Sequence, residues 1–153
     1  MTQVYRSSAG AAVTLSAAEE TAFQAQLDAF ARLDLAAAKA LRVAQINAEW
    51  SARTVAGVML GGSLIQTDER SQTQIRGVVE FLTANPLATR KIVTRTGERI
   101  DVDLATATAM RSAVEAYVLA CAEREADLVD AVNDAAVSTV AAVRAIDIKA
   151  GWP

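Results

Sequence analysis

Histidine is absent from this chain of 153 residues, cysteine occurs once and proline twice. Without histidine the chain lacks the commonest general base near neutral pH and the commonest protein ligand for zinc or non-haem iron, so no metal centre and no histidine-based catalysis are expected. The single cysteine, Cys121, rules out an intramolecular disulfide. It lies in the apolar, helical run Tyr-Val-Leu-Ala-Cys-Ala with no base or cation beside it, and so reads as a buried structural thiol rather than a nucleophile. Aromatic residues are only 5% of a chain that is 52% hydrophobic, much of it alanine. The interior must come from small and aliphatic side chains, which suits closely approaching helices.

Positive charge is also scarce. A net charge of -3 and a pI near 5.0 leave no basic field for a polyphosphate, so no nucleic-acid partner is expected. No apolar run reaches the roughly 20 residues needed to cross a bilayer, and Met-Thr-Gln-Val-Tyr-Arg has no apolar core of signal-peptide length. The expectation is a protein made in a reducing cytoplasm, with no membrane partner. Gly61-Gly62 lacks the lysine and helix start of a phosphate-binding loop, so no nucleotide cofactor or small-molecule substrate is expected.

The residues that are present spell out helices and short hairpins. Val4 to Arg6 and Ala12 to Leu15, separated by Ser-Ser-Ala-Gly, read as a small hairpin. Ser16 and Glu19 have the spacing of a capping box, and from Ala17 to about Val55 no proline or glycine intervenes. Phe23, Leu27, Phe30, Ala37, Leu41 and Ile46 recur there at steps mostly of three or four, which predicts one helix approaching 40 residues, or two with a slight break. Asp34 interrupts that stripe, so it is not a clean heptad seam. An isolated helix of this kind needs a surface to cover its apolar side.

Gly57 ends the helix, and Gly61-Gly62 joins two short apolar pieces as a tight hairpin. Thr67 and Asp68 cap a helix that stops before Asn85-Pro86. Lys91 to Arg95 and Glu98 to Val102 form a third hairpin across Thr96-Gly97, with Ile92, Ile100 and Val102 on its buried face. Asp103 caps a helix running to about Asn133, and a last one is predicted over Ala135 to Ala145. The fold class is therefore mainly α with short β-hairpins: an N-terminal hairpin, one long amphipathic helix, then a small α+β hairpin-helix body. Two units are expected, 1–56 with the hairpin and long helix, and 57–153 as the compact body. The hairpin-helix step recurs, but the helices differ in length and no residue series repeats.

Asp101 and Asp103 read as hairpin and cap residues rather than an acid-base pair. Glu123, Glu125, Asp127 and Asp130 lack the loop order and glycine turn of a calcium site and read as a solvated face. An enzymatic reading would need Cys121 or the Asp101 and Asp103 pair in a pocket, and the expectation is that the protein is not an enzyme. Contact area concentrates instead in Trp50, near the end of the long helix, and in Trp152, which is expected to dock back onto the fold. The interface candidates are Phe23, Leu27, Phe30, Leu41, Ile46 and Trp50. Ser16, Gly61, Gly62, Asp68, Gly97 and Trp152 are read as structural turn, cap and docking residues.

The run Gly61-Gly-Ser-Leu-Ile-Gln-Thr-Asp68-Glu-Arg-Ser71-Gln-Thr-Gln-Ile75, the later hairpin before Ala-Tyr-Val-Leu-Ala-Cys, and the ending Ile-Asp-Ile-Lys-Ala-Gly-Trp-Pro resemble a phage and prophage family, domain of unknown function 4376. The resemblance covers about Leu41 to Pro153. It implies a protein encoded near tail fibre, tail tip and tail fibre assembly genes, with a helical N-terminal segment like the one seen here, and it carries no catalytic residues. On that footing the expectation is a phage structural protein of the virion. It would be a homo-oligomer through the long helix, a trimer among its forms, and would contact another phage structural protein. The alternative is a tail fibre assembly chaperone that binds a fibre tip.

Overall fold

The computed structural model describes residues 4–6, 12–14 and 16–153, without the side chains of residues 4–6, 12–14 and 30. The elements in chain order are β1 (Val4–Arg6), β2 (Ala12–Thr14), α1 (Ala17–Thr54), β3 (Val58–Leu60), β4 (Ser63–Ile65), α2 (Glu69–Ala84), β5 (Arg90–Val93), β6 (Arg99–Val102), α3 (Leu104–Asn133) and α4 (Val140–Ala145). The described strands pair as antiparallel hairpins, β1 with β2, β3 with β4 and β5 with β6. The architecture is mainly α with short hairpins, as the sequence predicts. The turn of the first hairpin and Leu15 lie outside the described residues.

Helix starts follow local chemistry. At α1 the Ser16 hydroxyl accepts from the Glu19 amide at 3.4 Å, while the Glu19 carboxylate accepts from the Ser16 amide at 2.8 Å, the reciprocal capping box. Asp68 accepts from the Ser71 amide at 3.1 Å to start α2, and Asp103 from the Thr106 amide at 2.8 Å to start α3. Gly61 and Gly62 both take positive φ, as a two-residue hairpin loop between Leu60 and Ser63 requires. Gly57 also has positive φ, and a Cβ there would sit 2.8 Å from the Ile65 carbonyl oxygen.

The last helix is shorter than predicted. Asp134 accepts from the Ala136 amide at 2.7 Å, forming a turn, and Thr139 accepts from the Ala142 amide at 3.1 Å, starting α4 only at Val140. Side chains that bond nearby amides offered the backbone an alternative to helix across residues 135–139.

Among the described residues two apolar clusters form the core, and α3 spans both. Its first half packs Ala107, Met110 and Val114 against Ile65, Ile75, Val79 and Leu82 of the β3-β4 and α2 region and against Ile92 and Val102 of the third hairpin. Its second half packs Leu128 and Val132 against Ile46 of α1 and Ile148 of the C-terminal segment. Trp152 does dock back: it packs on this second cluster, and its Nε1 donates to the Ile148 carbonyl at 2.9 Å.

The C-terminal half of α1 thus packs on the body through Val43 and Ile46. Side chains from elsewhere bond the carbonyls at its end: Tyr117 donates to that of Arg53 at 2.9 Å, Thr67 to that of Thr54 at 2.6 Å, and Arg95 to that of Val55. In return α1 supplies cations to the ends of other helices. Lys39 donates to the Asp134 carbonyl at the end of α3, and Arg42 to the Arg144 and Ile146 carbonyls at the end of α4. Both match the negative pole of a helix C-terminus.

Candidate functional site

Among the described residues, the buried side chains of α1, Ile46 and Glu49, fall in its second half. The helix is 38 residues long, about 57 Å at 1.5 Å per residue. From Ala17 to Asp34 every residue whose side chain is described is exposed, apart from a half-buried Glu20. Phe23 is 38% exposed, Leu27 45%, Leu33 66% and Leu41 62%. At 3.6 residues per turn, Phe23 and Leu41 lie on the same line of the helix surface, with Leu27 about 40° to one side. The Phe30 position is on that line too; its side chain lies outside the described residues.

Two of the six interface candidates are placed elsewhere. Ile46 is fully buried in the second cluster, and Trp50 is half-buried with its indole Nε1 enclosed. Both lie about 140° to 180° round the helix from Leu41, on the side turned to the body. One periodic run in the sequence therefore splits into an exposed seam, Phe23 to Leu41, and a core-facing stripe, Val43, Ile46 and Trp50.

Where the seam reaches the body it meets a groove. Asp34, Ala37, Leu41 and Arg42 of α1 face Val140, Val143 and Arg144 of α4 across an open volume of about 520 Å³. The α4 wall could not be read from the sequence, because nothing local ties it to residues about a hundred positions earlier. The neighbouring contact is ionic. Glu49, 8% exposed, pairs with Lys149 and with Arg53 at 2.8 Å. These two cations, Lys149 foremost, hold its carboxyl below the usual carboxylate range.

The residues that an enzymatic reading would need are engaged in structure. Cys121 is fully buried, and that burial raises its thiol pKa. The neighbouring Tyr117 hydroxyl, also raised by burial, donates to the Arg53 carbonyl. Asp103 is occupied as the α3 cap, where the Thr106 contacts hold its carboxyl low, while Asp101 pairs with Lys91 at 3.4 Å on the hairpin surface. Among the described residues, no group of three His, Cys, Asp or Glu side chains could hold a metal ion, and no helix is long and apolar enough to cross a membrane.

The sequence profile of a family described as a domain of unknown function (DUF4376) matches residues 37–150, well over half of the chain. The chain belongs to the DUF4376 family. No curated protein and no solved structure matches it. The DUF4376 match begins at residue 37, close to Lys39, whose side chain bonds across to α3. The exposed first half of α1 lies outside the matched residues, so the family domain is the body together with the second half of α1.

Proposed function

We propose that this protein is a bacteriophage structural protein, a tail- or fibre-region component of the virion, that acts through protein-protein contacts as a homo-oligomer. Its first half of α1 joins copies to one another, and its body is presented to another phage structural protein. It is made in the host cytoplasm and incorporated into the particle. It is a binding protein rather than an enzyme, with no cofactor and no small-molecule substrate, and it binds neither nucleic acid nor membrane.

The observation that carries this reading is the pair of exposed leucines Leu27 and Leu41, 45% and 62% exposed, on the outward side of a long helix. Large apolar side chains aligned on one helix face mark an interaction site. A closed symmetric assembly of identical chains is the simplest way to cover such a face. The phage setting is supported by the wording shared with the phage and prophage family, above all Thr67-Asp68-Glu-Arg-Ser71-Gln and Gly151-Trp-Pro.

Mass spectrometry of purified phage particles tests the setting, and the protein is expected among the virion components. Its absence from particles, together with co-purification of a free fibre protein, would instead establish the assembly chaperone. Sedimentation tests the association: a compact monomer at micromolar concentration, unchanged by Phe30→Asp, refutes it.

A further inference from the structure

From Ile146 to Pro153 the chain forms neither helix nor strand, so side chains make most of its hold on the body. Two sets of bonds can be separated there. Within the segment, the Asp147 carboxylate accepts from the Lys149 and Ala150 amides at 2.8 and 3.3 Å, and the Trp152 indole donates to the Ile148 carbonyl at 2.9 Å. These bonds tie residues 147–152 into one turn that needs no other element. Outward, Arg42 of α1 donates to the Ile146 carbonyl, Arg124 of α3 donates twice to the Ala150 carbonyl, at 3.2 and 2.9 Å, and Lys149 pairs with Glu49 of α1. Ile148 and Trp152 complete the attachment by packing with Ile46, Leu128 and Val132. The two long helices also meet without the segment, since Ile46 packs with Leu128 and Val132 and Lys39 bonds the Asp134 carbonyl at the end of α3.

Glu49 is the charged link in that attachment. Among the described residues it is the one buried charged side chain, and its carboxylate meets two cations, Lys149 and Arg53. Arg42, Asp147 and Lys149 line with it an open depression of about 530 Å³. On the α3 side stand Arg124 and Tyr117, whose hydroxyl donates to the Arg53 carbonyl. Asp147 is already bonded to amides of its own turn. A neutral Glu49 therefore leaves Arg42, Arg53 and Lys149 around a single committed carboxylate, and cations so placed repel one another. Lys149 foremost, then Arg53, holds the Glu49 carboxyl below the usual glutamate range. The closed arrangement is accordingly favoured at neutral pH and loses that support as the pH falls through the lowered value.

We propose that residues 146–153 form a charge-latched strap, which lifts off the contact between α1 and α3 as one unit, with the helices still folded, when Glu49 loses its charge. Opening uncovers Ile46, Leu128 and Val132 and frees Arg42 from the Ile146 carbonyl, so the strap sets how firmly the second half of α1 is held to the body. The device lies within one chain and is independent of the self-association reading.

Fluorine NMR on the full chain reads the strap directly. Trp50 and Trp152 are the two tryptophans, so protein grown with 5-fluorotryptophan gives two signals, assigned with Trp152→Phe. As the pH is lowered from about 7 to about 3, the Trp152 signal is expected to move to its urea-unfolded position while the helical circular dichroism holds and the Trp50 signal does not reach its own unfolded position. Glu49→Gln is expected to release Trp152 already near pH 7 with the helices intact. Lys149→Gln, at a side chain 70% exposed, should raise the opening midpoint by about half a pH unit, and Lys149→Arg should leave it in place. Lys91→Gln, which removes an exposed pair on the third hairpin, should not move it. A Trp152 signal that stays native in Glu49→Gln, or that moves only together with the loss of helix, overturns the strap. So does a midpoint that Lys149→Gln leaves unchanged.

Discussion

Replacing Thr67 by valine tests the junction that pins α1 to the body. Thr67 is 1% exposed; its hydroxyl donates to the Thr54 carbonyl at 2.6 Å and accepts from the Gly57 amide at 3.1 Å. Valine keeps the shape but removes both bonds, leaving a helix-terminal carbonyl and a turn amide without that partner. An unsatisfied buried polar group costs about 1–3 kcal/mol. Gly57 and Thr54 are half-buried, so water recovers part of this, and the added methyl group returns up to about 1 kcal/mol of apolar burial. The expected loss is about 2 kcal/mol, a fall in Tm of roughly 4–8 °C for a chain of this size. Urea titration followed by circular dichroism at fixed protein concentration measures it, with an unchanged slope showing that only stability has moved. Thr67→Ser keeps the hydroxyl and loses a methyl, so it should cost less than valine. A valine variant as stable as the parent, or a serine variant worse than valine, would refute the claim that these two hydrogen bonds hold the junction.

Ile46→Ala should cost about 2–4 kcal/mol in the same titration, because it empties a fully buried site between α1 and α3. Leu41→Ser, at a 62% exposed position, should change stability by under about 1 kcal/mol and weaken self-association in sedimentation; the opposite pattern would mean that core and seam are exchanged. Asp68→Ala should cost on the order of 1 kcal/mol through the lost cap, and a normal melting temperature with lost partner binding would show that Asp68 is a contact residue instead. Glu49, Asp68 and Asp103 have carboxyls held below their ordinary range, by Lys149, Ser71 and Thr106 foremost. Their stabilisation is complete above the unfolded-chain values near pH 4 and is lost as the pH falls through the lower folded values. Urea midpoints should therefore drop from about pH 5 toward pH 3. Glu49→Gln should shallow that fall, and an identical slope would remove Glu49 from the account. Cys121 should resist thiol reagents in the native protein and react on unfolding, whereas rapid native labelling would contradict its full burial.

Much of this molecule is determined by residues close in sequence. The Ser16 and Glu19 box, the Asp68 and Asp103 caps and the Gly61-Gly62 turn each act within four residues, so the helix starts and the hairpin follow from local hydrogen-bond chemistry alone. The alternation of Ile92, Ile100 and Val102 likewise gave the inner face of the third hairpin, because side chains in a strand alternate between faces. The end of the predicted last helix was sound, but its start was not. Asp134 and Thr139 are as able to form turns and caps as to ride in a helix, and only their actual bonds decide between these roles.

What sequence alone left undivided was the apolar run of α1. Leu41 and Ile46 are both aliphatic, five residues apart, and equally suited to covering something. Which of them is core depends on Leu128, Val132 and Ile148 arriving on one side of the helix, and on Lys39 and Arg42 finding the ends of α3 and α4. Those contacts span 80 residues or more, and no local pattern encodes them. Sequence determined that a long helix with an apolar face would form. Tertiary structure decided that Ile46 is buried against the body while Leu41 stays exposed, because burial belongs to the packing of distant elements rather than to any one of them.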